Sequence, residues 1–139
     1  MPISPDFVGR TFEGRKPYAV SAEKIEEFCV AIGVPVSDIA PPTFPTVIDL
    51  NVGGPAFLET PGSGIDLLRV VHGEQRYEYE RPLRAGDVVS LTTTVHELSE
   101  RNGNEYLTLL SEFRAADGEL ICRGYNTIAS RGTAASAAQ

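Results

Sequence analysis

Nine of the ten prolines in this chain lie in residues 1 to 61, and only Pro82 lies beyond them. Proline has no amide to give a β-ladder and is confined to caps, loops and strand ends. The second half of the chain is therefore free to build long hydrogen-bonded strands, whereas the first is limited to short helices, caps and stiff connections. At 139 residues the chain suits one domain, expected over 1–131, with a small polar tail over 132–139 expected to be disordered. Its 42% hydrophobic and 22% charged residues can supply one core without disulfide or metal staples.

Twelve scattered cations, ten of them Arg, stand among nineteen acids for a formal charge of -7. No basic stripe exists to collect phosphates, which argues against nucleic acid. No apolar run reaches the ~20 residues that span a bilayer, and Met1-Pro-Ile-Ser-Pro-Asp6 lacks the pattern of a signal peptide, so a cytoplasmic protein away from membranes is expected. Cys29 and Cys122 lie far apart among apolar neighbours and read as buried free thiols. Two Cys and two His at these spacings suit no zinc site. Gly62-Ser63-Gly64 has the surroundings of neither a nucleophile elbow nor a phosphate loop and reads as a flexible connector. Neither metal nor cofactor is expected.

Between Ser21 and Gly33, residues Ile25, Phe28, Cys29 and Ile32 fall at i, i+3, i+4 and i+7. This predicts an amphipathic helix over Ala22 to Ile32, capped by Ser21 and stopped by Gly33. Pro35, Pro41, Pro42 and Pro45 then stiffen a loop into a second helix, which Thr43 can cap and Pro45 can open. Phe44, Val47, Ile48, Leu50 and Val52 make that helix apolar on most of its circumference, so it wants burial on several sides. It should end at Gly53-Gly54-Pro55, before an irregular connection with one helical turn around Ile65 to Arg69.

From Val70 the period changes to two. Val71, Gly73, Gln75, Tyr77 and Tyr79 alternate with His72, Glu74, Arg76, Glu78 and Glu80, the pattern of a strand with one polar face. A second strand over 88–101 meets Asn102-Gly103, the strongest two-residue hairpin signal, and a third runs from Asn104 to Ala116. Asp117-Gly118 then turns the chain into a fourth, Leu120 to Ser130. These last strands are about twice the usual length, and long antiparallel strands coil into a curved sheet. The apolar helix near Thr43 is the one element suited to fill the curve. The expected fold is α+β of the hot dog kind, a long curved antiparallel sheet wrapped around a central helix. Its unpaired edges predict a dimer.

Two stretches carry a resemblance. Val71 to Tyr79 followed by Arg81-Pro82-Leu83-Arg84-Ala85-Gly86-Asp87, and Pro41-Pro42-Thr43-Phe44-Pro45, resemble the MaoC-like dehydratase N-terminal family. The likeness implies hot dog subunits that pair side by side and interconvert (3R)-hydroxyacyl and trans-2-enoyl thioesters of coenzyme A or acyl carrier protein. Catalytic members carry Asp-x-Asn-Pro-x-His just before the central helix, supplying the acid and base that the elimination needs. The corresponding stretch here, Val34 to Pro42, has one acid, Asp38, and no histidine. The chain thus resembles the family's non-catalytic subunits, whose partner is a second hot dog chain bearing that motif. A homodimer is the alternative.

No catalytic residue is expected, and three weak candidates remain. His72 lies in the recognisable strand, either a base or simply a residue of the polar face. Asp49 is mid-helix, one turn after Thr46. It is either the carboxylate with which some hot dog thioesterases activate water or part of the helix's one polar stripe. Asp38 is most simply a turn residue. Thr43, Phe44, Val47, Ile48, His72 and Gly73 are the expected substrate contacts, although Phe44, Val47 and Ile48 suit a core equally well. Contact with an acidic carrier would fall to the partner or to Arg69, Arg76 and Arg81. A non-enzymatic acyl-thioester-binding module is the remaining alternative.

Overall fold

The computed structural model describes residues 2–53 and 63–134. Helix α1 spans Ala22–Ile32 as the spacing predicts. The Lys24 amide donates to Ser21 Oγ at 3.0 Å, and Gly33 closes the helix in the left-handed region at φ 76°. Ile25 and Cys29 are buried and Phe28 packs edge-on to Phe44 at 5.5 Å, but Ile32 is 46% exposed because the helix ends before that turn can dock.

The second helix differs from expectation in its start and its pitch. Helix α2 runs over Pro45–Ile48 and widens into a π-helical turn over Asp49–Gly53. Its N-cap is Phe44, and Thr43 is exposed and caps nothing, because the turn formed by Pro41 and Pro42 brings Phe44 into the helical conformation first. At Gly53 a Cβ would stand 2.5 Å from the Leu91 side-chain tip and 3.0 Å from Asp49 Oδ1, so a larger residue would have to displace Leu91 for the widened turn to sit this close to the sheet.

Strands β1 (Thr11–Glu13) and β2 (Tyr18–Ala19) pair with β4 (Val88–Arg101), which continues through β5 (Asn104–Ala115) and β6 (Leu120–Ser130) to β3 (Val70–Tyr79). All pairings are antiparallel. Asn102 and Gly103, at φ 54° and 79°, form the two-residue turn whose twist matches the strands it joins. Two buried clusters share the inner face. One gathers Phe44, Ile48 and Val52 of the helix with Leu91, Phe113 and Ile121; the other joins Ile3 and Phe7 to Leu107, Leu109 and Ile128.

The Pro-x-x-x-Gly-Asp turn is a brace. Asp87 accepts from Arg81 at 3.0 and 3.2 Å and from the Arg84 amide at 2.8 Å, while Arg81 also reaches Glu119 at 2.7 Å. The loop before the helix docks on this brace through Ala40 to Leu83 and Ala85 to Asp38 backbone bonds. At the far end of the sheet the first residues of the expected tail are held in place. Thr133 and Ala134 are buried, and Thr133 Oγ1 donates to Glu105 at 2.6 Å, so residues 132–134 are seated; positions 135–139 lie outside the described residues. Gly54, Pro55 and Gly62 also lie outside them.

Candidate functional site

A cleft of about 370 Å³ opens on the inner face of the sheet, lined by members of the second cluster and by the π turn of the helix. Asp49 enters it from that turn and Ser111 from β5, with Ser111 Oγ 3.4 and 3.5 Å from the Asp49 carboxylate oxygens. Thr93 on β4, Asn126 on β6 and His72 on β3 complete the polar lining. Burial pushes the Asp49 carboxyl up to about 6, against the lowering effect of Ser111. The same burial raises the Tyr77 hydroxyl and the Cys122 thiol, each to about 12, so neither ionises near neutral pH.

His72 reaches this cleft through an irregularity. The register of β3 against β6 shifts between His72 and Glu74, so Gly73 is an extra residue and the alternation changes parity there. Val70 and His72 therefore join Gln75, Tyr77 and Tyr79 on the inner side, and Val71 turns outward at 41% exposure. A strict period of two puts His72 on the polar face, and the bulge overturns that placement. Its Nε2 is 3.1 Å from the Glu74 carbonyl.

A family model for the FAS1-like dehydratase domain region matches residues 37–123. The chain belongs to this FAS1-like dehydratase family. A UPF0336 protein of Thermobifida fusca is 39% identical across 98% of this chain and 99% of its own length. Among solved structures, the C-terminally truncated HadBC (3R-hydroxyacyl-ACP dehydratase) complex of Mycobacterium tuberculosis superposes with TM-score 0.79 at 23% identity, over 89% of this chain and 97% of the other. A MaoC-like dehydratase from Rhodospirillum rubrum gives 0.65 at 17% identity, over 94% and 97%. The fold is the α+β hot dog of the MaoC-like dehydratases.

Against that family's pattern, the expected site residues separate. In this FAS1-like dehydratase chain Asp38 is exposed, and its carbonyl accepts from the Ala85 amide. Phe44 and Ile48 are fully buried in the core rather than on the cleft wall, and Val47 packs against them. Thr46 and Asp49 do share a stripe, but it faces the sheet: Thr46 Oγ1 is 2.6 Å from the Tyr77 hydroxyl. Of the three candidate carrier contacts, Arg81 is spent on the brace, whereas Arg76, over the Tyr125 ring at 4.3 Å, and Arg69, 3.7 Å from Asp66, both stay largely exposed. Among the described residues no cluster of three or more His, Cys, Asp or Glu could hold a metal, and no helix is long and apolar enough to cross a membrane. Sequence reasoning missed Ser111 and Asn126. Their signal is a polar residue at the inward position of an otherwise apolar alternation.

Proposed function

We propose that the chain is the accessory, channel-forming subunit of a cytoplasmic (3R)-hydroxyacyl-thioester dehydratase, acting on CoA or carrier-protein thioesters beside a second hot dog chain that carries Asp-x-Asn-Pro-x-His. The observation that carries this reading is the stretch before the central helix, where Asp38 is exposed and no imidazole stands near it in sequence. An acid or a base each contributes about 10² to 10⁴ in rate, so a chain without the pair needs a partner that has it. Strand β3 supports the pairing. It is hydrogen-bonded only to β6 among the described strands, and Leu67, Leu68 and Val71 lie exposed on or beside it. HadBC, of the same fold, is itself a complex.

The test is hydration of a short trans-2-enoyl thioester. The purified chain should be nearly inactive, and co-expression with a motif-bearing hot dog chain should raise the rate by ~10² or more. Strong hydration by the chain alone overturns the reading. One observation favours a second reaction class: Asp49 faces the cleft with its carboxyl raised by burial to about 6, which suits a base for thioester hydrolysis. Thiol release from an acyl-CoA that disappears in Asp49→Asn would establish it, and release that survives the substitution would remove it.

A further inference from the structure

Along β5 the inward side chains are Phe113, Ser111, Leu109, Leu107 and Glu105, and their surroundings change from one to the next. Phe113 packs with Phe44 and Ile48 of the central helix, Ser111 faces the Asp49 carboxylate of its π turn, and Leu109 lines the cleft. Leu107 packs with Ile3 and Phe7, and the Glu105 carboxylate takes the Ile3 amide. The helix thus covers one end of the sheet's inner face and the N-terminal segment, residues 2–8, covers the other. The cleft is the interval between them, the four residues from Ser111 to Leu107, or about 14 Å of strand. Leu109 and Ile128 belong to both sides: they line the cleft, and they share a buried cluster with Ile3 and Phe7. Ile3 and Phe7, 1% and 2% exposed, do not reach the cleft and stand behind that wall. The backing is pinned at three points. The Ile3 amide donates to both Glu105 oxygens at 3.0 and 2.9 Å, the Ser4 amide to the Ser63 carbonyl at 2.8 Å, and the Gly9 amide to the Val95 carbonyl at 2.8 Å.

We propose that the N-terminal segment is the end stop of the cleft, with Ile3 and Phe7 fixing, through Leu109 and Ile128, the longest acyl chain that the protein accepts. The inference rests on the cleft being an acyl site, as the accessory-subunit reading has it. Ile3 and Phe7 are positioning residues and touch no substrate. Each methylene that buries against an apolar wall gains about four-fold in affinity, and one that meets the end of the cleft gains nothing. In a close-packed interior a wall side chain is held by what lies behind it. Shortening Ile3 or Phe7 leaves a void there, because the surroundings collapse only in part. Leu109 and Ile128 then lean into the void, and the cleft deepens.

The experiment is calorimetric titration of the full chain, in its purified assembly, with saturated straight-chain acyl-CoAs from hexanoyl to tetradecanoyl in single-carbon steps. In the parent protein affinity should climb with length and then stop climbing. Ile3→Ala and Phe7→Ala should each move that ceiling to a chain about two carbons longer and leave shorter chains within about two-fold of their parental affinity. Ile3→Val, which loses one methyl, should move it by about one carbon and carries the test where the alanine variants do not fold. Ile25→Val loses the same methyl in the other buried cluster and should keep the parental ceiling. A ceiling that no folded Ile3 or Phe7 variant moves, a weakening equal at every length, an equal shift in Ile25→Val, or a parental climb with no ceiling overturns the end stop alone. Failure of every chain length to bind overturns both the end stop and the acyl-site reading.

Discussion

Asp49→Asn is expected to stabilise the protein near pH 8 by up to about 3 kcal/mol and to change little near pH 4. Burial holds the Asp49 carboxyl at about 6 in the folded protein against 3.8 for the free side chain, with Ser111 opposing the shift. The folded state therefore holds this proton more tightly than the unfolded state. The resulting stability is fully present below the unfolded value and is lost as pH rises through about 6. Asparagine keeps the shape and carries no charge, so the variant avoids the loss. Urea midpoints measured across that range should fall with rising pH in the parent and stay flatter in the variant; parallel curves would show that the carboxyl is not the cause. Asp87 acts in the opposite sense. Burial alone would raise it, but the Arg81 guanidinium and the Arg84 amide outweigh burial and hold it below its ordinary value. Its contribution is present above the unfolded value and fails only as pH falls through the lowered one, so the two carboxyls confine greatest stability to mildly acidic pH.

Glu105→Ala is expected to cost about 2 to 4 kcal/mol, although Glu105 is not among the residues that line the cleft. This carboxylate is 4% exposed and gathers both ends of the described chain: the Ile3 amide donates to its two oxygens at 3.0 and 2.9 Å, and the Thr133 hydroxyl donates at 2.6 Å. Removing it leaves the Ile3 amide buried without an acceptor, next to a cluster in which Ile3 and Phe7 are themselves almost fully buried. Glu105→Gln retains one carbonyl acceptor and should lose less. Exposed Glu26→Ala serves as the control, and a denaturation midpoint for Glu105→Ala no lower than that control would show that the clasp contributes nothing.

What was legible in the sequence was whatever depends on neighbours in the chain. Ser21, Gly33, Asn102 and Gly103 act within a few residues of themselves, and the elements that they delimit fall where they predict. The long strands followed from period two and from the absence of proline. The cleft was legible only in part, because its polar groups come from four strands and a helix turn: docking of the helix on the sheet brings Asp49 to Ser111, and strand pairing sets Asn126 opposite Gln75. Two local irregularities defeated periodic reading altogether. The helix widens from Asp49 into a π turn that no residue spacing announces, and the extra residue at Gly73 reverses the faces of a strand whose composition looks regular. Glu105 was hidden for another reason: an acid at the start of a strand normally signals solvent, and only the two termini folding over it make it a buried acceptor.

The bulge at Gly73 also bears on how relatives are compared. On its N-terminal side the inward-facing positions are 70 and 72, which line the cleft, and on its C-terminal side they are 75, 77 and 79. A one-residue gap set on the wrong side of this glycine would put the cleft-facing residue of one protein in the same column as the solvent-facing residue of another. Variation at His72 would then look like surface drift, and variation at Val71 like a change in the site. Gap placement here is a structural decision.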